Sequence, residues 1–243
     1  MNANWLKYLP RLIRDRLEGQ HHLQKAIGNS GWLLLDKILR MAAGLVIGIW
    51  MARVLGPVQF GRFNYALAFV ALFAPIATLG LDGIVVRNLV MGRESPQVTL
   101  GSVSILRLFG ALMAIILCNA AVIWFKPDDS LARLLVLIIS FGFIFQSSDV
   151  VDCWFQSQVT SKHIVLAKLP TLLIFFGVRI LLLLGGFSLY LFAWAQILES
   201  LMVAIGVVAT YRICGNSFRQ WHPDFKHALV LLREAWPQAL ARL

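Results

Sequence analysis

Residues 100–125 read LGSVSILRLFGALMAIILCNAAVIWF, an apolar run of 26 residues in which Arg107 is the one charge. As a helix the run is about 39 Å long, more than the ~30 Å of a bilayer's hydrocarbon core. Apolar and polar residues do not alternate in it, as the ~10-residue strands of a membrane barrel require, so the run reads as a membrane-spanning helix. The turn Lys126-Pro127-Asp128-Asp129 stops it. Outward from this run, similar blocks occupy residues 32–55, 63–90, 131–155, 164–184 and 189–211. Gly56-Pro57 closes the first, the second carries Pro75, Gly80 and Gly83, and Gly185-Gly186 folds the fifth into the sixth. The expected fold is an all-α, polytopic helical membrane protein. A segment 1–28 precedes a membrane region 29–211, a loop 212–227 follows, and 228–243 begins a seventh helix.

Composition agrees with this reading. Hydrophobic residues make up 59% of the chain and charged residues 14%, against about 25% charged in a soluble domain. The net charge of +10 is topological. With the N-terminus in the cytoplasm, inner segments hold Lys7, Arg11, Arg14, Arg16, Lys25, Arg87, Arg93, Lys162, Lys168, Arg212, Arg219 and Lys226, and outer ones hold Arg53, Arg62, Lys126 and Arg133. Twelve against four is a positive-inside bias. No soluble basic module points to nucleic acid. The first 28 residues lack the apolar core and cleavage site of a signal peptide. Trp5, Leu6, Leu9, Leu12, Ile13 and Leu17, with basic residues between, suit either an interfacial helix or a basic tail that only orients the chain. Cys118, Cys153 and Cys214 lack zinc or redox spacing, and His21-His22 is a poor metal pair. There is no phosphate loop and no nucleophile motif. Neither an enzyme activity, a metal nor a cofactor is expected.

Ionisable residues at membrane depth are costly, and they usually face a cavity or a partner. Asp36, Lys37 and Arg40 share one face of the first span. Two readings stand: the cations snorkel to the headgroups while Asp36 pairs with Arg40, or they line a site for an anion. Arg107, Asp149, Asp152, Arg179 and Glu199 lie inside later spans. Their spread suggests a shared, water-filled interior. Gly44 and Gly48 form a small-xxx-small pair, which predicts a tight helix interface. Trp50, Trp124, Trp154 and Trp194 read as interfacial anchors.

Asn29-Ser-Gly-Trp-Leu-Leu-Leu-Asp-Lys-Ile-Leu-Arg-Met-Ala-Ala-Gly44 resembles the first helix of the bacterial polysaccharide-biosynthesis transporters, the flippases of lipid-linked oligosaccharides. Ala52-Arg-Val-Leu-Gly-Pro-Val-Gln-Phe-Gly-Arg-Phe63 is similar to that family's hallmark loop. Leu79-Gly-Leu-Asp-Gly83 with Arg87, and Asp152-Cys-Trp-Phe-Gln-Ser-Gln158 with Ser161-Lys162, resemble its second and fourth helix ends. The resemblance implies the six-helix N-terminal lobe of a two-lobed flippase that alternates between inward-open and outward-open states. The implied cargo is an undecaprenyl-pyrophosphate-linked glycan crossing the bacterial inner membrane, with its lipid tail left in the bilayer. Lys37, Arg40, Arg87 and Arg179 are then the candidate cavity cations for pyrophosphate, with Asp36, Asp149, Asp152 and Glu199 as ion-pair or coupling partners. Membrane lipids and a second lobe or polysaccharide assembly proteins are the implied partners, and an ion gradient or membrane potential the implied drive. Arg233-Glu-Ala-Trp-Pro-Gln-Ala239 resembles the start of the second lobe, so the chain is expected to be a fragment or truncated product. Two other readings are a small-molecule exporter of the same superfamily and a non-transporting membrane subunit.

Overall fold

A single residue turns the first pass into the second. In the computed structural model, which describes residues 21–92 and 94–240 with side chains for 28–92 and 94–235, α1 (His21–Ala71) is helical except at Gly56. There φ is 75° and ψ is 167°, a region open in practice only to glycine. Pro57 reinforces the break, because a proline disfavours helical dihedrals in the residue before it and suits the first turn of the helix that resumes. Residues 57–62, expected as a loop, are therefore helical.

The apolar run Gly28–Met91 holds 64 residues, which as one straight helix is about 96 Å, roughly three bilayer cores. Contacts at its ends show two passes instead. The Asn29 side chain accepts a hydrogen bond from the Ser161 amide at 2.6 Å, and Arg87 pairs with Glu234. Between them in sequence, Arg62 lies 3.9 Å from Asp129 and Tyr65 sits under Lys126, at the opposite end of the helix bundle. Five helical stretches are long and apolar enough to cross a membrane; the first is doubled at Gly56, giving six passes among the described residues.

The second pass is broken again after residue 71. Pro75 opens α2 (Ala74–Thr78), Leu79 and Gly80 take positive φ, and α3 (Asp82–Met91) completes the crossing. The third pass is α4 (Pro96–Phe125), whose first turn is capped by the Ser95 side chain accepting from the Val98 amide. Gly110 of α4 lies directly beneath the break. A Cβ there would stand 2.8 Å from the carbonyl oxygens of both Ile76 and Ala77.

The fourth pass is built from α5 (Ser130–Ser140), α6 (Gly142–Gln146), a 3-10 turn (Ser147–Asp149) and α7 (Val150–Ser157). Asp129 caps it by accepting from the Ala132 amide at 3.1 Å. The fifth and sixth passes, α8 (Lys162–Leu184) and α9 (Leu189–Ile213), pack along each other. A linker with a second 3-10 turn (Phe218–Gln220) leads to α10 (Phe225–Leu240), which rests on α3 and α4 through Leu231 and Ala235.

The largest core cluster joins Met51, Phe63, Val70, Ala114, Leu135 and Phe192. The outward faces stay apolar: Trp124 is 84% exposed and Ile116 68%. A soluble protein rarely shows such continuous apolar surface, whereas a bilayer covers it. The tight interface expected at Gly44 and Gly48 is absent among the described residues, since no atom lies within 4 Å of a Cβ at either. The basic segment of residues 1–20, and Arg93, lie outside the described residues.

Two glycines generate predictions of different physical origin. Gly56→Ala meets open space, so its expected destabilisation of about 1–3 kcal/mol is backbone strain alone. Gly110→Ala is expected to destabilise by a similar ~1–3 kcal/mol through overpacking against two carbonyls that cannot rotate away. Thermal unfolding in detergent reads both, and an unchanged midpoint in either variant refutes the corresponding account.

Candidate functional site

The first, second, fourth, fifth and sixth passes leave a cavity of about 380 Å³ between them, lined by Arg40, Gln146, Asp149, Lys168, Gln196 and Glu199 among others. Phe143, Phe145 and Leu67 supply its apolar wall, and Ser200 adds a hydroxyl. Each polar group arrives there by helical spacing. Asp36 lies one turn before Arg40 on α1, and the Arg40 Nε donates to both Asp36 oxygens at 3.1 Å. That bond leaves the outer edge of the guanidinium free: Arg40 Nη2 is buried with no hydrogen-bond partner among the described residues.

Lys168 enters from α8, two residues before Pro170. Its ammonium bonds Asp152 and lies 3.6 Å from Asp149. The 3-10 turn at Ser147–Asp149 leads directly into α7, and the two carboxylates, three residues apart, fall on one side. Three turns further along α8, Arg179 donates through Nη2 to Gln196 Oε1 at 2.8 Å and to Glu199. Gln196 and Glu199 are likewise three apart on α9 and line the cavity, so Arg179 stands behind its wall.

The ionic content is close to balanced. Arg40, Lys168 and Arg179 face Asp36, Asp149, Asp152 and Glu199, three cations to four carboxylates. The cavity is thus not a bare basic funnel. It is a set of charges largely answered by neighbours, with Arg40 Nη2 and one oxygen of Asp152, Oδ1, left without a hydrogen-bond partner among the described residues.

Of the residues singled out from sequence, Arg40, Asp149 and Glu199 line the cavity, and Asp36, Asp152 and Arg179 touch it through bonded partners. Lys37 lies on the exposed face of α1, outside the cavity. Arg87 is half exposed and held by Glu234 of α10. Arg107 is 2% exposed and forms a separate joint, pairing with Asp82 and donating to Cys153 Sγ at 3.7 Å. Lys168 is the residue that sequence reading passed over, counted as an inner-segment charge. Its place inside the span 164–184 was the available signal. Gln146 and Gln196, neutral and therefore silent in a charge survey, were also missed. Among the described residues no group of three or more His, Cys, Asp or Glu is placed to hold a metal.

The family described as polysaccharide biosynthesis protein matches residues 26–243. No curated protein and no solved structure matches the chain.

The Arg179–Glu199 pair, with side chains 18% and 10% exposed, is a test of mutual neutralisation. Arg179→Ala or Glu199→Ala alone is expected to destabilise by about 3 kcal/mol, because each leaves an unanswered charge in an apolar surround. The double replacement is expected to be milder than the sum. Thermal midpoints of the four proteins complete the cycle, and strict additivity contradicts the pairing.

Proposed function

The chain belongs to the polysaccharide biosynthesis protein family, and on that premise we propose that it is a flippase, or the N-terminal lobe of one, for undecaprenyl-pyrophosphate-linked oligosaccharide. The observation that carries this reading is the free, buried Nη2 edge of Arg40 on the cavity. A guanidinium grips phosphate oxygens in pairs, and Arg40 keeps an unused donor while Asp36 holds its other side. Lys168 would serve as a point charge that trades one of its two carboxylates for a phosphate oxygen. Gln146, Gln196 and Ser200 supply donors and acceptors for sugar hydroxyls. In an apolar surround these contacts are worth more than in water.

The lobe would sit in the bacterial inner membrane with its N-terminus in the cytoplasm, in keeping with the twelve-to-four charge bias. No covalent step is needed: the protein moves its cargo for O-antigen, capsule or exopolysaccharide assembly and leaves it unchanged. A second lobe would complete the cavity wall, and an ion gradient would supply the drive. Coupling fits the carboxylates, because a proton or sodium ion that neutralises Asp149 or Asp152 releases Lys168 for the cargo.

One observation favours a second reading. Four carboxylates around three cations also suit a small-molecule exporter, since cationic amphiphiles seek intramembrane acids.

The test is complementation of a flippase-deficient strain by the protein in its full-length context. Arg40→Gln is expected to lower surface polysaccharide about tenfold or more at unchanged membrane level, the loss of one charge-assisted contact. Export at the unsubstituted level in that variant removes Arg40 from the site. Drug resistance without polysaccharide export selects the exporter.

A further inference from the structure

The last turns of α9 carry a second polar-to-apolar junction, away from the cavity. Ala204, Ile205, Val208, Ala209, Arg212 and Ile213 recur at helical spacing and line one apolar groove of about 510 Å³. From 204 to 213 the stripe runs about 13 Å along the helix. At its end lies a hollow of about 410 Å³ lined by Arg212, Asn216, Ser217, Phe218 and Arg219. Arg212 belongs to both.

The hollow is built on a braced loop. The Arg212 guanidinium lies over the Phe218 ring, 5.8 Å from its centroid. Phe218 is wedged between Tyr211 and Trp221, each with its ring centroid 4.8 Å away, and Trp221 Nε1 donates to the Tyr211 hydroxyl at 3.1 Å. The arginine is therefore presented at a set position.

Six cations of the bundle are already paired. Arg40, Arg62, Arg87, Arg107, Lys168 and Arg179 each have a carboxylate within 4.0 Å. Arg212 and Arg219 have none among the described residues, as is true also of Lys37, Arg53, Lys126, Arg133, Lys162, Lys226 and Arg233, and they differ from these in sharing one hollow at the end of an apolar groove. Two unanswered guanidiniums thus sit at the mouth of an apolar groove on a membrane-spanning helix, and Ile205 and Ile213 beside them are 53% and 84% exposed.

We propose that this junction is a binding site for one anionic phospholipid, separate from the cargo cavity. The phosphodiester sits between Arg212 and Arg219, with Asn216 and Ser217 as further hydrogen-bond groups, and an acyl chain lies along Ala204, Val208 and Ala209. A free phosphate would satisfy the arginines and leave the groove bare. A zwitterionic lipid would fill the groove but brings its own cation to the arginines. Only an anionic lipid matches both halves. The site stands whether or not the cavity carries a glycan.

Native mass spectrometry of the chain in detergent tests this with phosphatidylglycerol, phosphatidylcholine and inorganic phosphate as probes. Phosphatidylglycerol is expected to be retained in preference to phosphatidylcholine. Arg212→Gln with Arg219→Gln is expected to weaken it on the order of 30-fold, while the corresponding lysine pair keeps the preference. Ala209→Trp, which fills the groove and leaves the charges, is expected to weaken the lipid but not phosphate. Helical circular dichroism confirms that each variant is folded, and if the glutamine pair fails to fold, Ala209→Trp decides. Equal retention of the two lipids, undiminished phosphatidylglycerol in a folded glutamine pair, or its full retention in Ala209→Trp overturns the proposal.

Discussion

An ionised side chain inside hydrocarbon must be answered by an opposite charge or a hydrogen-bond partner, because no bulk water is there to do it. This constraint shapes the lobe more than any apolar contact, since lipid tails solvate leucine as well as another leucine does. The joints between passes are accordingly ionic. Arg107 of α4 is tied to Asp82 of α3, Lys168 of α8 to Asp152 of α7, and Arg179 of α8 to Glu199 of α9. Arg87 ties the second pass to α10 through Glu234. Among the described residues only the Arg40–Asp36 pair stays within one helix, and it leaves Nη2 of its guanidinium unused on the cavity.

The second constraint is backbone satisfaction. The second pass is built of three helical segments, yet its breaks are closed by local bonds: the Phe73 amide donates to Val70, the Leu79 amide to Ile76 and the Leu81 amide to Thr78. Broken helices are tolerated at membrane depth when neighbouring protein shelters them. Here the shelter is α4, which approaches closely because position 110 has no side chain. The polar cavity opens between the first two passes and the fourth, fifth and sixth, with Arg40 and Leu67 on its wall. Packing and ionic joints therefore act on the same few helices.

Much of this was legible in the sequence, for identifiable reasons. Hydropathy found the passes to within a few residues because a span is a local property of some 20 consecutive positions. Gly56-Pro57 marked the first reversal, although the six residues after it remain helical where a loop was expected. That Arg179, Glu199 and Asp149 converge followed from the expense of scattering them separately. What sequence could not supply was helix rotation. Lys37 and Arg40 are three residues apart on one helix, yet one is exposed and the other lines the cavity. The partner of Arg87 lies 147 positions away, beyond the reach of any local pattern. Gly44 and Gly48 have the spacing of a contact and no neighbour among the described residues, since spacing alone says nothing about which way a face turns.

The reversal at Gly56 has a mechanical side as well. Both flanking segments are continuous helix, so rotation at that one residue acts on long rigid arms. Arg40 lies 16 residues from the pivot, about 24 Å along the axis, so a tilt of roughly 10° would sweep it through about 4 Å. That displacement exceeds the length of a hydrogen bond. A fulcrum of one glycine, placed at the far end of the pass from the Asn29–Ser161 contact, would turn a small change of angle at the membrane surface into a displacement of several ångströms at the Arg40 guanidinium.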